Sequence, residues 1–254
     1  QPQGDGTWRY YYTGSLAEGT VEVVMPAGSV ADIAGNLNQG TTCSFVYDIT
    51  PPQVADVRVA GTAWSVPDYS IPVGSAAQLY PLGWSTIDQI EIFFDEDVIV
   101  NVNDLILSGT SLTYAFSNFS YDPVAYKATW TLGQPLDVDV LLIDLQDAVH
   151  DYAGNALDGD WLDEVSTYPS GDGSAGTGFQ FTFKVLPGNA TNNNIVDGGD
   201  YTNWADYYHT FQTLYHTGEF NADGYVDGGD YTIWADHYGE TAGAMPAEDG
   251  PPAV

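Results

Sequence analysis

Basic residues are almost missing from this chain. Arg9, Arg58, Lys127 and Lys184 are the only Lys or Arg among 254 residues, against 35 Asp and Glu, so the net charge is −31. Nucleic-acid binding needs clustered Lys and Arg, and this composition excludes it. Anionic membrane surfaces are disfavoured for the same reason. Cysteine is as scarce: Cys43 stands alone, so no internal disulfide can form. Cys43, Phe45 and Tyr47 alternate in TTCSFVYD, which predicts one strand face with Cys43 as a small buried hydrophobe. No apolar run in the sequence approaches the roughly 20 residues of a membrane span. No leader-like segment opens the chain, which reads as a mature chain or a piece of something larger.

Aromatic residues, by contrast, are plentiful: 18 Tyr, 10 Phe and 7 Trp within an apolar share of 44%, enough to build real cores. The length predicts about two domains. The acidic excess favours cations as partners, divalent ones above all, and it also keeps an exported protein soluble.

Two internal repeats organise the chain. VDGGDYTNWADYY at 196–208 returns as VDGGDYTIWADHY at 226–238, with eleven of thirteen positions identical. DIAGN at 32–36 returns as DYAGN at 151–155. Residues 1–52 read as strands (WRYYYT, TVEVVMP, CSFVYD) ended by Pro51-Pro52. They are too few for a sandwich and predict the C-terminal part of a truncated β domain. Residues 53–186 have the length of one complete antiparallel β-sandwich. In that region Ile90, Ile92 and Phe94 share a face, as do Tyr126, Ala128, Trp130 and Leu132, and Phe179, Phe181, Phe183 and Val185. Residues 187–242 change character, with Tyr201, Trp204, Ala205, Tyr208 and then Tyr231, Trp234, Ala235, Tyr238 at helical spacing. Residues 243–254 are Pro/Gly/Ala-rich and read as a flexible tail.

The chemistry sits before those two helices. A calcium loop of the EF-hand type needs oxygen ligands at positions 1, 3, 5, 9 and 12, a backbone carbonyl at 7 and a sharp turn at 6. Residues 219–230 supply Glu219, Asn221, Asp223, Asp227 and Asp230, the Tyr225 carbonyl and Gly224 for the turn. Residues 189–200 supply Asn189, Thr191, Asn193, Asp197 and Asp200, the Ile195 carbonyl and Asn194 for the turn. Asn tolerates the left-handed conformation that the turn requires. The first loop carries two charged ligands and the second four. Ligand charge tunes affinity, so two Ca²⁺ sites are expected, the second tighter and the first weak or empty. Val196 and Val226, at position 8, are expected to pair with each other across a short bridge.

This tandem of loop and helix, with no helix before each loop, resembles a type I dockerin over residues 188–239. GEFNADGYVDGGDYTIWADHYG carries the likeness. The aromatic DYTxWAD helices are similar to dockerin-like repeats of planctomycete-type exported proteins. Such repeats follow Ig-like domains with D-x-AGN motifs. Residues 53–186 resemble these bacterial Ig-like domains through IEIFFDEDV and DYAGNAL, and residues 21–50 resemble the end of another. The resemblance implies one calcium ion per loop and docking to cohesin modules. The family's contacts to cohesin lie just before the last ligand, where this chain has Gly198-Gly199 and Gly228-Gly229. That departure argues against a cohesin and leaves calcium binding intact.

Other constellations carry less. Asp32 with Asn36 and Asp151 with Asn155 read as Asx turns before they read as metal sites. Asp95, Glu96 and Asp97 read as a solvated strand end. Asp158, Asp160, Asp163 and Glu164 around Trp161 offer paired carboxylates, of the sort used in glycoside hydrolysis, without a recognisable catalytic context. His150, His209, His216 and His237 have no zinc spacing, and the three late ones, on or near the two helices, are expected at the surface. No nucleophile elbow, phosphate loop or dinucleotide fingerprint is present in the sequence, so no enzyme activity is expected.

The expected fold is mainly β: an Ig-like antiparallel β-sandwich with a small α-helical tandem calcium-loop module. The expected function is that of a calcium-binding extracellular or cell-surface protein, structural or adhesive, attached through that module to a protein partner or to polysaccharide. The alternative is the non-catalytic C-terminal region of a polysaccharide-degrading enzyme assembled through a dockerin. What precedes residue 1 would separate the two.

Overall fold

The computed structural model describes residues 11–110 and 112–243. It divides into two compact units, Gln1–Thr50 and Pro51–Val254. The chain is mainly β, with several antiparallel sheets.

In the first unit, β1 (Gly19–Met25) pairs antiparallel with β2 (Thr41–Tyr47), setting Val23 opposite Cys43. Cys43 is exposed, and Phe45 is 47% exposed, which overturns the buried strand face expected from their alternation. Alternation reports two distinct faces, and burial needs a second layer. Among the described residues of this unit, no such layer covers the ribbon. The strand expected over residues 8–13 falls partly outside the described residues, and its described part, 11–13, is not strand. The tail expected over 243–254 lies outside them after residue 243.

The second unit contains a five-stranded and a three-stranded sheet. The larger has the order β4-β3-β5-β9-β8, formed by β3 (Val54–Ala60), β4 (Tyr69–Ser70), β5 (Gln89–Phe94), β8 (Phe116–Asp122) and β9 (Lys127–Leu132). The smaller has the order β12-β10-β7, formed by β7 (Leu105–Gly109), β10 (Asp139–Leu145) and β12 (Phe179–Val185). A separate short antiparallel pair joins β6 (Val98–Ile99) to β11 (His150–Asp151). Period-2 patterning explains the layers. Ile90, Ile92, Phe94, Ala128, Trp130 and Leu132 from one sheet share a buried core with Phe179, Phe181, Phe183 and Val185 from the other. This two-layer core is in keeping with a β-sandwich. Tyr126 departs from the expected face. It stands before β9 with φ +52° and is 37% exposed, because the β8–β9 turn takes it out of the pleat.

The scarce cations are used on the outer face of the larger sheet. Arg58 bonds Asp56 at 2.6 Å and Asp68 at 3.2 Å, Lys127 bonds Glu91 at 2.7 Å, and both lie over the Phe93 ring. These are cross-strand neighbours, since Arg58 faces Glu91 and Phe93 faces Lys127 in the register.

Residues 186–243 belong to the same unit. Helices α1 (Gly198–Tyr207) and α2 (Gly228–Asp236) follow β12, and Ala190, Tyr215, Phe220 and Ala222 join the sandwich core. The segment Leu82–Thr86 is the seam. Gly188 N–H donates to Gly83 O, Ser85 N–H to Phe220 O, Thr86 Oγ1 to Asn221 O and Ser65 N–H to Ala222 O, at 2.8–3.0 Å. Trp84, Trp64, Tyr69 and Tyr215 pack there with ring centroids 4.8–6.0 Å apart. The 3₁₀ turn Tyr215–Thr217 between the helices places Tyr215 in this cluster. Truncating a core ring should therefore disturb sheets and helices together. Phe181→Ala is expected to cost about 3–5 kcal/mol in urea unfolding, with near- and far-UV signals moving in one transition. A loss below about 1 kcal/mol would contradict the shared core.

Candidate metal centre

The tandem repeat folds as two halves that hold each other. Each helix opens with a capping box. Asp197 Oδ1 accepts from Gly199 N–H at 2.7 Å, while Asp200 Oδ2 accepts from Asp197 N–H at 2.8 Å. Asp227 and Asp230 repeat this at 2.7 and 2.8 Å. Positions 9 and 12 of each loop are thus also the residues that start each helix. The Trp204 indole donates to Asp227 O at 2.8 Å, and the Trp234 indole donates to Asp197 O at 2.9 Å, so each helix caps the opposite loop. Gly188 and Gly218 precede the two loops at φ +85° and +82°. A Cβ on Gly218 would lie 2.4 Å from the Trp204 Cα, so no other residue fits there.

Val196 and Val226 do not pair with each other as expected. Val226 exchanges backbone bonds with His209 and Thr210, and Val196 does so with Gly239 and Glu240. The reason is the crossing of the halves: each position 8 meets the segment that follows the other helix. The aromatic stripe also differs from a buried helix face. Tyr201, Tyr208, Tyr231 and Tyr238 are 41–61% exposed and form a surface row with the half-buried Trp204 and Trp234.

The second loop lies against the sandwich. Glu219, Asp230 and Trp84 are all fully buried, and the Trp84 indole donates to Glu219 Oε2 at 3.1 Å. Gly224 N–H donates to Glu219 Oε1 at 3.3 Å. Asp230 Oδ1 accepts from Phe220 and Asn221 N–H at 2.6 and 3.2 Å. Asp223 Oδ1 accepts from Tyr225 N–H at 2.8 Å, and Gly224 makes the turn at φ +89°. Burial pushes the Glu219 carboxyl up to about 7; donors Gly224 and Trp84 offset part of this, and Asp230 and Asp223 add to it. Burial also raises Asp230, against three backbone donors, with Asp223 adding to the rise. The six predicted positions, Glu219, Asn221, Asp223, Tyr225, Asp227 and Asp230, therefore form one acid-rich loop with mutually repelling carboxylates. Its residue types are those a hard cation takes. As arranged, Asn221 Nδ2 donates to Asp223 Oδ2 at 3.0 Å, and among the described residues this loop does not bring three carboxylate oxygens within 4.8 Å of one another.

The first loop has the same backbone and different chemistry. Asn194 takes the turn at φ +63°, its Nδ2 donating to Ala242 O at 2.9 Å. Its Oδ1 is buried and finds no hydrogen-bond partner among the described residues. Asp200 Oδ1 accepts from Ala190 N–H, Thr191 N–H and Thr191 Oγ1 at 2.8–2.9 Å. Asn189 is fully buried, and its Nδ2 donates to Asn193 Oδ1 at 3.1 Å and to Ile195 O at 3.0 Å. Positions 1, 5 and 7 are thereby bonded to one another, so this donor set does not fit a cation as arranged.

Elsewhere, Asp158, Asp160 and Asp172 bring carboxylate oxygens within 4.8 Å of one another, and such an acidic group could hold a metal ion. Asp172 was not singled out in the sequence, because it lies 14 residues from Asp158 and joins it only through the fold. Asp158 is buried and already accepts from Asp172 and Gly173 N–H at 3.0 and 2.8 Å. Asp163 accepts from Gln78 Nε2 and from Thr182 N–H, which ties the acids of this stretch into the structure. The two D-x-AGN motifs form the Asx turn expected of them. Asp32 accepts from Asn36 N and Nδ2, both at 2.8 Å, and Asp151 from Asn155 N and Nδ2 at 2.8 and 2.7 Å. His216, expected at the surface, is half-buried on the Tyr215 ring, and burial lowers its pKa.

Comparison with protein-family models, curated proteins and solved structures finds no match to this chain. The site therefore stands on its own geometry.

The sign of the Glu219 shift gives a pH signature. The folded state holds this proton more tightly than the unfolded chain, whose carboxyl has its ordinary value of 4.5. The associated stability is present below that value and is lost as pH rises through about 7. Without added metal, Tm is expected to fall between about pH 5 and pH 8 more steeply in the native protein than in Glu219→Gln. Parallel profiles would contradict the buried carboxylate.

Proposed function

We propose that the second loop is a calcium site and that the chain is an exported, non-catalytic structural or adhesive protein. In this reading, residues 53–186 act as an Ig-like spacer and residues 187–242 as a dockerin-like attachment module. The observation that carries it is the set Glu219, Asp223 and Asp230. Two of these acids are fully buried with raised pKa, and all three sit in a loop whose spacing matches calcium coordination. Glu219, Asn221, Asp223 and Asp230 would hold the ion, with the Tyr225 carbonyl and Asp227 completing the shell. A bound calcium supplies charge neutralisation, which would let Glu219 stay ionised while buried. The rest is the work of the chain. The Asp227–Asp230 capping box orients the last ligands, and Trp84 with Gly224 orients the first.

The charge supports export. A surface this acidic and this poor in cations suits a protein that must stay soluble outside the cell and attract divalent ions. Among the described residues, no helix is long and apolar enough to cross a membrane. The half-exposed row of Tyr208, Trp204, Tyr231, Tyr201, Trp234 and Tyr238 supports the attachment role. Aromatic side chains of this kind dominate the buried centres of protein interfaces, and they also stack on sugars. Its partner would be a protein or a polysaccharide. The Gly-Gly pairs leave a cohesin without its usual contacts.

Calcium added to chelator-treated protein is expected to raise Tm, by the equivalent of about 2.7 kcal/mol at a hundredfold excess over Kd. Magnesium at equal concentration should do less, since it demands a tighter octahedral site. A Tm unmoved by calcium or chelator would overturn the metal reading.

A further inference from the structure

We infer that the module takes one ion, not two, because the Asn189 carboxamide closes the first loop as an ion would. This rests on the calcium reading of the second loop and goes beyond it. The two loops share register, caps, the left-handed turn and the bonds to the position-12 carboxylate. They differ at position 1. There the second loop has Glu219, which when ionised can only accept, so the oxygens of positions 5 and 7 receive no proton from it; Asp223 Oδ2 accepts instead from Asn221 Nδ2 at 3.0 Å. The first loop has Asn189, which carries two N–H groups. Its Nδ2 donates to Asn193 Oδ1 at 3.1 Å and to Ile195 O at 3.0 Å, the two oxygens that a cation would gather. Its Oδ1 accepts from Asn192 N–H at 2.9 Å, which fixes the orientation of the amide. Turning the carboxamide over would set its oxygen against two oxygens and its NH₂ against the Asn192 N–H.

Charge points the same way. An ion in the first loop would find only Asp197 and Asp200. The Asp200 oxygens already accept three bonds on Oδ1 and one from Asp197 N–H on Oδ2. Asn189 is fully buried, so its donors are not lost to water. A buried amide with both ends satisfied gains nothing by opening for a cation. The division of labour follows. The first half of the repeat stays closed whatever the metal concentration, and only the second half, docked on the sandwich, responds to it.

The test is calcium stoichiometry, by isothermal titration of chelator-treated protein and by native mass spectrometry. The native chain is expected to take one specific ion, and Glu219→Gln none. Asn189→Asp replaces the donor with an acceptor and should raise the count to two, with a larger calcium-induced rise in Tm. Two ions on the native chain, or one remaining on Glu219→Gln, would overturn the inference. So would an Asn189→Asp protein that is folded in calcium and takes no additional ion. A native chain that binds none would sink the second-loop reading instead. Asn189→Asp gaining one ion would then still carry the first-loop inference.

Discussion

A buried carboxylate is the constraint on which this structure turns. Glu219 is fully enclosed, and one of its oxygens is held by the Trp84 indole from the sandwich at 3.1 Å. Burying a charge is costly unless it is paired or coordinates a metal. The three cations placed by the structure lie elsewhere: Arg58 and Lys127 are used on the outer sheet face, and Lys184 is on β12. Among the described residues no Lys or Arg pairs with Glu219, which leaves a proton or a metal from solution to neutralise it. The same bond makes the loop a joint. Whatever neutralises Glu219 acts on the seam at Leu82–Thr86, where Phe220, Asn221 and Ala222 hang from the sandwich backbone.

The repeat shows how a duplicated unit can diverge without losing its fold. Caps, crossed Trp donors and position-8 pairing are reciprocal between the halves, so each needs the other. The capping Asp residues, the Trp donors and the position-8 Val are shared by the two copies, while the segments that the Val residues meet, His209-Thr210 and Gly239-Glu240, differ. Within the loops, divergence runs through positions 1–7, and at the ligand positions 1, 3, 5 and 7 Asn, Thr, Asn and Ile stand against Glu, Asn, Asp and Tyr. One half has kept an acid-rich loop. The other has amide hydrogen bonds where its counterpart has charge, and they hold the same backbone.

Much of this was legible in the sequence, for definable reasons. Strand faces such as Ile90-Ile92-Phe94 and Phe179-Phe181-Phe183 were readable because burial on one side imposes period 2. The two helices were readable because Tyr201, Trp204, Ala205 and Tyr208, and then Tyr231, Trp234, Ala235 and Tyr238, keep helical spacing. Three things were not. Cys43 alternates as a buried strand would, but alternation does not say whether a second layer exists. The partners of Val196 and Val226 depend on how two halves cross, and spacing within one half does not encode that. Asn189 looked like a weak ligand, and only its two short contacts show that its nitrogen, not its oxygen, faces the centre of the loop.

Anomalous diffraction from crystals grown in calcium tests the central claim most directly. The account predicts one calcium peak inside the second loop, with Glu219, Asp223, Asp230 and the Tyr225 carbonyl oxygen at about 2.3–2.6 Å from it. A calcium-saturated crystal with no peak there, and with Glu219 still bonded to Gly224 and Trp84 alone, would contradict it.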